Sequence, residues 1–204
     1  MGEELGELLS RLRARTAGLD LAGSAKRPSG WAVLEGREVV EVSHLGPDDE
    51  ILAAAEHVRP ALLAIDAPLT LPREGYMRFV DREMHRLGLP VLPPLFPAMR
   101  SLTLRGMRLA RELEARGLPV IEVHPASTRK VLGLPVKGRA AVQEALLRAG
   151  LTGALEEREL SMHELDAITA ALTASLHLLG LSELVGDEEG EICLPRRDLS
   201  LDLA

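Results

Sequence analysis

Gly18-Leu19-Asp20-Leu21-Ala22-Gly23-Ser24 reads as a short buried strand that carries one carboxylate and ends in residues too small to crowd a neighbour. An unpaired Asp inside such a strand costs several kcal/mol. Asp20 therefore calls for a metal ion, a hydrogen-bonding partner or a basic neighbour, and the rest of the chain offers candidates for a shared site.

Working outward from this strand, Lys26-Arg27-Pro28-Ser29-Gly30 forms a turn, Trp31-Ala32-Val33-Leu34 a second strand, Glu35-Gly36-Arg37 a tight turn and Val39-Val40-Glu41-Val42 a third strand. Three strands joined by short turns make an antiparallel meander. Upstream, Leu5, Leu8, Leu9 and Leu12 share one stripe, which predicts an amphipathic helix in an N-terminal extension over residues 1–15. Downstream, Pro47 and Asp48 start a helix through Ile51, Leu52, Ala55 and Val58. Pro60 ends it. Ala61-Leu62-Leu63-Ala64-Ile65 is then a continuous apolar run, as expected of a strand covered on both faces, and it stops at Asp66.

Residues 71–118 change character, with five prolines and two helical stretches around 76–87 and 98–116, and read as a helical insertion over the sheet. A fifth strand at Val120-Ile121-Glu122-Val123 leads into helices near 126–133, 138–149 and 161–179, a closing strand at 191–194 and a polar tail. This order predicts one α/β domain over residues 1–204: a mixed sheet with helices on both faces.

Composition narrows the function. Apolar residues make up 46% of the 204, enough for one sizeable core, which excludes a disordered chain. No apolar run approaches the roughly 18–20 residues of a membrane span, and the acidic Met1-Gly2-Glu3-Glu4 is unlike a signal peptide, so the expected compartment is the cytoplasm. Cys193 stands alone, which rules out an internal disulfide and a thiolate-rich metal site; it reads as a small core hydrophobe. A net charge of -7 argues against non-specific coating of nucleic acid. Its distribution is uneven. Nine Arg face five acidic residues between Pro72 and Leu118, whereas twelve acidic residues face three Arg from Leu151 onward, so a polyanion should meet the middle segment first. Arg78, Arg82, Arg100, Arg105 and Arg108 are the phosphate-contact candidates there.

Acidic residues mark the strand ends. Asp66 closes an apolar strand, where ligand crevices of open α/β sheets lie, although an Asx turn before Pro68 would also suit it. Glu122 lies inside the short apolar strand five, and His124 two residues on shares its face. Ser161 and Glu164 have capping-box spacing and start the last long helix. His163 and Asp166 project from one face of that helix, and Ala167, Ala170, Ala171 and Ala174 let it approach the sheet closely.

Phosphodiester hydrolysis is the chemistry that needs such a cluster: two hard cations about 4 Å apart activate a water and stabilise the leaving oxygen. Mg²⁺ or Mn²⁺ would be held by Asp20, Asp66, Glu122 and Asp166, with His163 as a ligand or proton carrier.

Gly18-Leu19-Asp20-Leu21-Ala22, Ala64-Ile65-Asp66-Ala67-Pro68-Leu69, Ile121-Glu122-Val123-His124-Pro125 and His163-Glu164-Leu165-Asp166-Ala167 resemble the successive motifs of the ribonuclease H-like proteins grouped as domain of unknown function family 429. Arg78, Asp81 and Arg82 also resemble that family's charged segment after the second aspartate. The likeness runs from about Ala17 to Pro195 and implies a ribonuclease H fold and a divalent-metal nuclease acting on nucleic acid. His163 stands where some Holliday-junction resolvases of this fold carry another acid. Two other readings stay open. One is an actin-like sugar kinase or ATPase relative, against which stands the lack of a Walker Gly-rich loop. The other is a non-catalytic nucleic-acid-binding module. The sequence leaves the oligomeric state unassigned.

Overall fold

Alternation between two covered faces shapes the centre of the chain. The computed structural model describes residues 2–199, so Met1 and the end of the expected polar tail, 200–204, lie outside the described residues. The meander forms as β1 (Arg15–Asp20), β2 (Ser29–Glu35) and β3 (Glu38–Leu45), each antiparallel to the one before. β4 (Leu62–Asp66) adds parallel to the free edge of β1, and β5 (Val120–Glu122) adds parallel to β4. A two-residue β6 (Thr152–Gly153) pairs with β3, giving the order β5-β4-β1-β2-β3-β6. An antiparallel meander whose first strand is extended by parallel strands is a ribonuclease H-like mixed sheet.

Two apolar layers sandwich it. On one face Ala17, Leu19, Trp31, Val33, Leu63 and Ile65 pack against α2 (Asp48–Val58) and α4 (Arg100–Ala115). On the other, Ala32, Leu34 and Val39 pack against α8 (Met162–Leu178), α6 (Arg139–Arg148) and α1 (Gly2–Ser10). α8 carries buried side chains almost all round, as a central helix must.

It lies on backbone where it crosses β1 and β2. A Cβ on Gly18 would stand 2.0 Å from the Ala167 carbonyl oxygen and 2.4 Å from the Ala171 nitrogen, and one on Gly30 would stand 2.0 Å from the His163 carbonyl oxygen. Only glycine permits that approach at either position.

Four features differ from the sequence expectation. α4 is not raised over the sheet, because Leu109, Ala110 and Leu113 form one of its two core layers; the other helix of that segment, α3 (Phe79–Arg86), packs on a separate small cluster with Ile192 and Leu194. α1 is likewise built in, with Leu5 and Leu9 buried beside Leu34 and Leu146. The expected closing strand, β8 (Gly190–Pro195), pairs with an unforeseen β7 (Ser182–Asp187) in a hairpin of its own. That hairpin meets the sheet at the single bridge Val123↔Cys193, where Cys193 is a buried core residue. β6 was also unforeseen. Among the described residues, no helix is long and apolar enough to cross a membrane.

Candidate active site

Asp20 ends β1 and Asp66 ends β4, and the two are direct partners across the parallel pair. Side chains alternate along a strand, so Asp20 shares the face of Gly18, the face that α8 covers. The start of α8 is pinned above them. The Ser161 hydroxyl accepts from the Glu164 N–H at 3.2 Å, the Glu164 carboxylate accepts from the Ser161 N–H at 2.8 Å, and Arg158 anchors buried Glu164 from outside. This cap sets the first turns of α8 so that His163 Nδ1 lies 2.5 Å from Asp20 Oδ2, while Asp166 Oδ1 accepts from Arg129 Nη1 at 2.6 Å.

Asp20, Asp66, Asp166 and His163 thus come together from three elements. Their charges oppose one another. Burial pushes the Asp20 carboxyl up to about 6, against the pull of the His163 hydrogen bond and with the charge of Asp166 adding to the rise. Asp66 is raised well above the usual carboxylate range, first by burial and then by Asp20 and Asp166. No hydrogen bond or ion pair to the Asp66 carboxylate exists among the described residues. It is an acceptor group in want of a cation or a proton.

Glu122 departs from the role the sequence suggested. It pairs with Ile65, not Asp66, so it emerges on the opposite face of the sheet from the two aspartates. There Arg78 grips both its oxygens, from Nη1 at 2.7 Å and Nη2 at 2.6 Å, and the Leu69 N–H donates to it at 2.8 Å. Burial raises its pKa, and the Arg78 fork and the Leu69 N–H pull it back. A carboxylate held in this way is a guanidinium partner and is withdrawn from the metal-ligand set.

The arginines divide similarly. Arg78 is 1% exposed, and its five N–H groups are spent on Glu122, Asp81 and Thr70, so it is no phosphate contact. Arg105 is 5% exposed and bonds Asp48 and the carbonyls of Ala22 and Gly46, which ties α4 to the loops after β1 and β3. Both expected phosphate ligands are internal struts. Arg82 and Arg100 remain exposed; Arg82 donates to the Met77 carbonyl, and Arg100 has no partner among the described residues. Arg108 is exposed and pairs with Asp48.

One residue beside the aspartates escaped the sequence reading altogether. Arg129, on α5 (Pro125–Val131), is 2% exposed, bonds Asp166 and Thr169, and brings a fixed positive charge to the aspartates. The signal that could have found it is the requirement, already posed by Asp20, for a basic neighbour. His124 is held through Nδ1 by Ser127 at 2.7 Å, and burial and Arg129 lower its pKa to about 4, so it is neutral.

The strand ends open into a cavity of about 210 Å³ lined by Asp20, Asp66 and Glu122. Among the described residues, no three His, Cys, Asp or Glu side chains are already spaced as a metal centre. The donor chemistry fits a hard cation nonetheless. Asp66 is unpaired, and His163 and Arg129 each bond a single oxygen of Asp20 and Asp166, leaving carboxylate oxygens of the kind that Mg²⁺ or Mn²⁺ takes.

No protein-family model and no curated protein sequence matches the chain. Among solved structures it is similar to Thermus thermophilus RuvC, at 17% identity and a TM-score of 0.47 over 81% of this chain and 96% of that one. It is also similar to T. thermophilus RuvC in complex with Holliday junction substrate, at 18% identity and a TM-score of 0.45 over 82% and 96%. The fold assignment stands on the strand order and register described above.

Proposed function

We propose that this chain is a divalent-metal-dependent nuclease of the ribonuclease H-like kind, as the resemblance to domain of unknown function family 429 implied, with nucleic acid as its substrate. The observation that carries the reading is the meeting of Asp20, Asp66 and Asp166 at one end of the sheet, with Asp66 lacking any donor. Bound Mg²⁺ or Mn²⁺, held by these three carboxylates, would make a nucleophile of water and stabilise the leaving oxygen. The pair of cations expected from the sequence loses its fourth acid, since Glu122 is committed to Arg78.

The remaining groups position and move protons. His163, exposed and bonded through Nδ1 to Asp20, has Nε2 left to take a proton from an attacking water or give one to a leaving oxygen. Arg129 fixes Asp166 through one oxygen and turns the other toward use, while its charge keeps the three acids together despite their repulsion. The Arg78 fork holds Glu122 and Asp81, and so sets the wall of the cavity behind Asp66.

The test is hydrolysis of single-stranded, duplex, hybrid and branched substrates with Mg²⁺ or Mn²⁺, beside Asp20→Asn and Asp66→Asn. Each variant should lose more than about a hundredfold in rate, the scale of losing one preorganised electrostatic element. Equal rates for wild type and Asp66→Asn would refute the reading. Nucleotide-dependent thermal stabilisation without hydrolysis would favour the kinase relative instead.

A further inference from the structure

We propose that the cavity beside Asp20 and Asp66 receives one unpaired nucleobase, so that the protein engages single-stranded or extruded nucleotides in preference to intact duplex; this rests on the nuclease reading of the adjoining carboxylates. The cavity lining is of two unlike kinds. Leu21, Leu92, Met99, Leu102 and Ile192 are apolar. Asp20, Asp66, Asp81 and Glu122 are acidic, against one cation, Arg78.

All five N–H groups of Arg78 are already engaged, so the interior offers no free cation to an oxyanion. A phosphate cannot be seated there. It belongs beside the metal-holding oxygens of Asp20 and Asp66, and the apolar part of the lining suits the uncharged, flat part of the same nucleotide. Size agrees: about 210 Å³ lies below the roughly 300–1,000 Å³ of pockets that take drug-sized ligands, so it holds a single ring system and not two stacked bases. His124 also lines the cavity, and because Ser127 occupies its Nδ1, Nε2 is available to a base edge.

The rest of the surface points the same way. Arg78 and Arg105 are spent internally, and the chain carries a net charge of -7, so backbone phosphates gain little from electrostatics alone. Insertion of a base into an apolar slot supplies contact area that the phosphates do not. A paired base cannot enter without leaving its stack, which costs a few kcal/mol and is least for a base already unpaired.

The experiment measures binding and hydrolysis separately. Fluorescein-labelled 12-mers of one sequence are titrated in Ca²⁺ as single strand, blunt duplex and duplex with one bulged 2-aminopurine. The expected result is at least tenfold tighter binding of the single strand and the bulged duplex than of the blunt duplex, with a change in 2-aminopurine emission on binding. Met99→Trp, which fills the slot, and Leu92→Asp, at a site 55% exposed and so safe for folding, should each bring that preference close to one. Equal affinity for all three nucleic acids, no binding of the unpaired ones, or a preference untouched by both variants would overturn the proposal. Hydrolysis with Mg²⁺ that shows no such preference sinks the base slot and leaves the nuclease standing. A preference with no hydrolysis in any divalent metal does the reverse.

Discussion

Replacing Asp66 by Asn should make the metal-free protein more stable while abolishing its response to metal. Asp66 sits partly buried with Asp20 beside it across the strand pair and Asp166 above, and no donor meets it. Asn keeps the shape and removes the charge. Removing an unsatisfied buried charge is worth about 1–3 kcal/mol by the cost of leaving such a group unpaired, and each kcal/mol moves the melting temperature of a chain this size by roughly 2–4 °C. The variant should therefore melt roughly 3–10 °C higher than wild type at pH 7.5 in EDTA. The sign reverses the usual carboxylate rule. A folded-state pKa raised above 3.8 means that the native state holds the proton more tightly, so stability is retained below that pH and lost as pH rises through the folded value. As pH is lowered to 3.8 and below, the gap between the two proteins should close. Saturating Mn²⁺ should raise the melting temperature of the wild type and not of Asp66→Asn. A variant that melts at or below wild type at pH 7.5 in EDTA would refute the reasoning, because it would mean that the ionised group is stabilised in a way the geometry does not contain.

Three further outcomes follow from the geometry. In EDTA, Asp20 should cost the fold about 3 kcal/mol as pH rises from 3.8 to about 6, roughly two pH units at 1.36 kcal/mol each, and Asp20→Asn should flatten that part of the urea-denaturation profile. Gly18→Ala should destabilise by roughly 3 kcal/mol or more, since its Cβ would meet the backbone of Ala167 and Ala171 and no side chain can yield; chemical denaturation reads it, and a loss below about 0.5 kcal/mol would refute the contact. Arg78→Lys should lose about 3–5 kcal/mol despite keeping the charge, because an ammonium cannot reproduce a fork shared by Glu122, Asp81 and Thr70; near-wild-type stability would show those groups to be satisfied otherwise.

What the sequence made legible was local. The meander follows from turn residues and apolar runs, Asp20 and Asp66 mark strand ends because the apolar pattern stops there, and the alanines of α8 announce a close approach that Gly18 and Gly30 complete. What stayed hidden was non-local. Strand alternation gives the two faces of β5 but not which is which; that depends on Glu122 pairing with Ile65, a register that three residues cannot declare. The Arg78–Glu122 and Arg129–Asp166 bonds span 44 and 37 residues, and nothing in an exposed-looking run of arginines distinguishes a strut from a surface charge. β7 was obscured by the acidic run Asp187-Glu188-Glu189, which is the tip of the hairpin, whereas α4 was legible as a helix and only its seat in the core was not.

The seating of α8 directly on the main chain of β1 and β2 has a consequence for how such a molecule could change its preferences over time. At Gly18 and Gly30 the nearest atoms across the gap are backbone of α8, which no substitution can trim, so the spacing between Asp20 and the residues opposite it is tightly held. The wall formed by Leu92, Met99 and Leu102 carries no such restraint. Substitutions there can redraw what is admitted while the acidic machinery stays in place, much as a lock can be rekeyed without recasting its bolt.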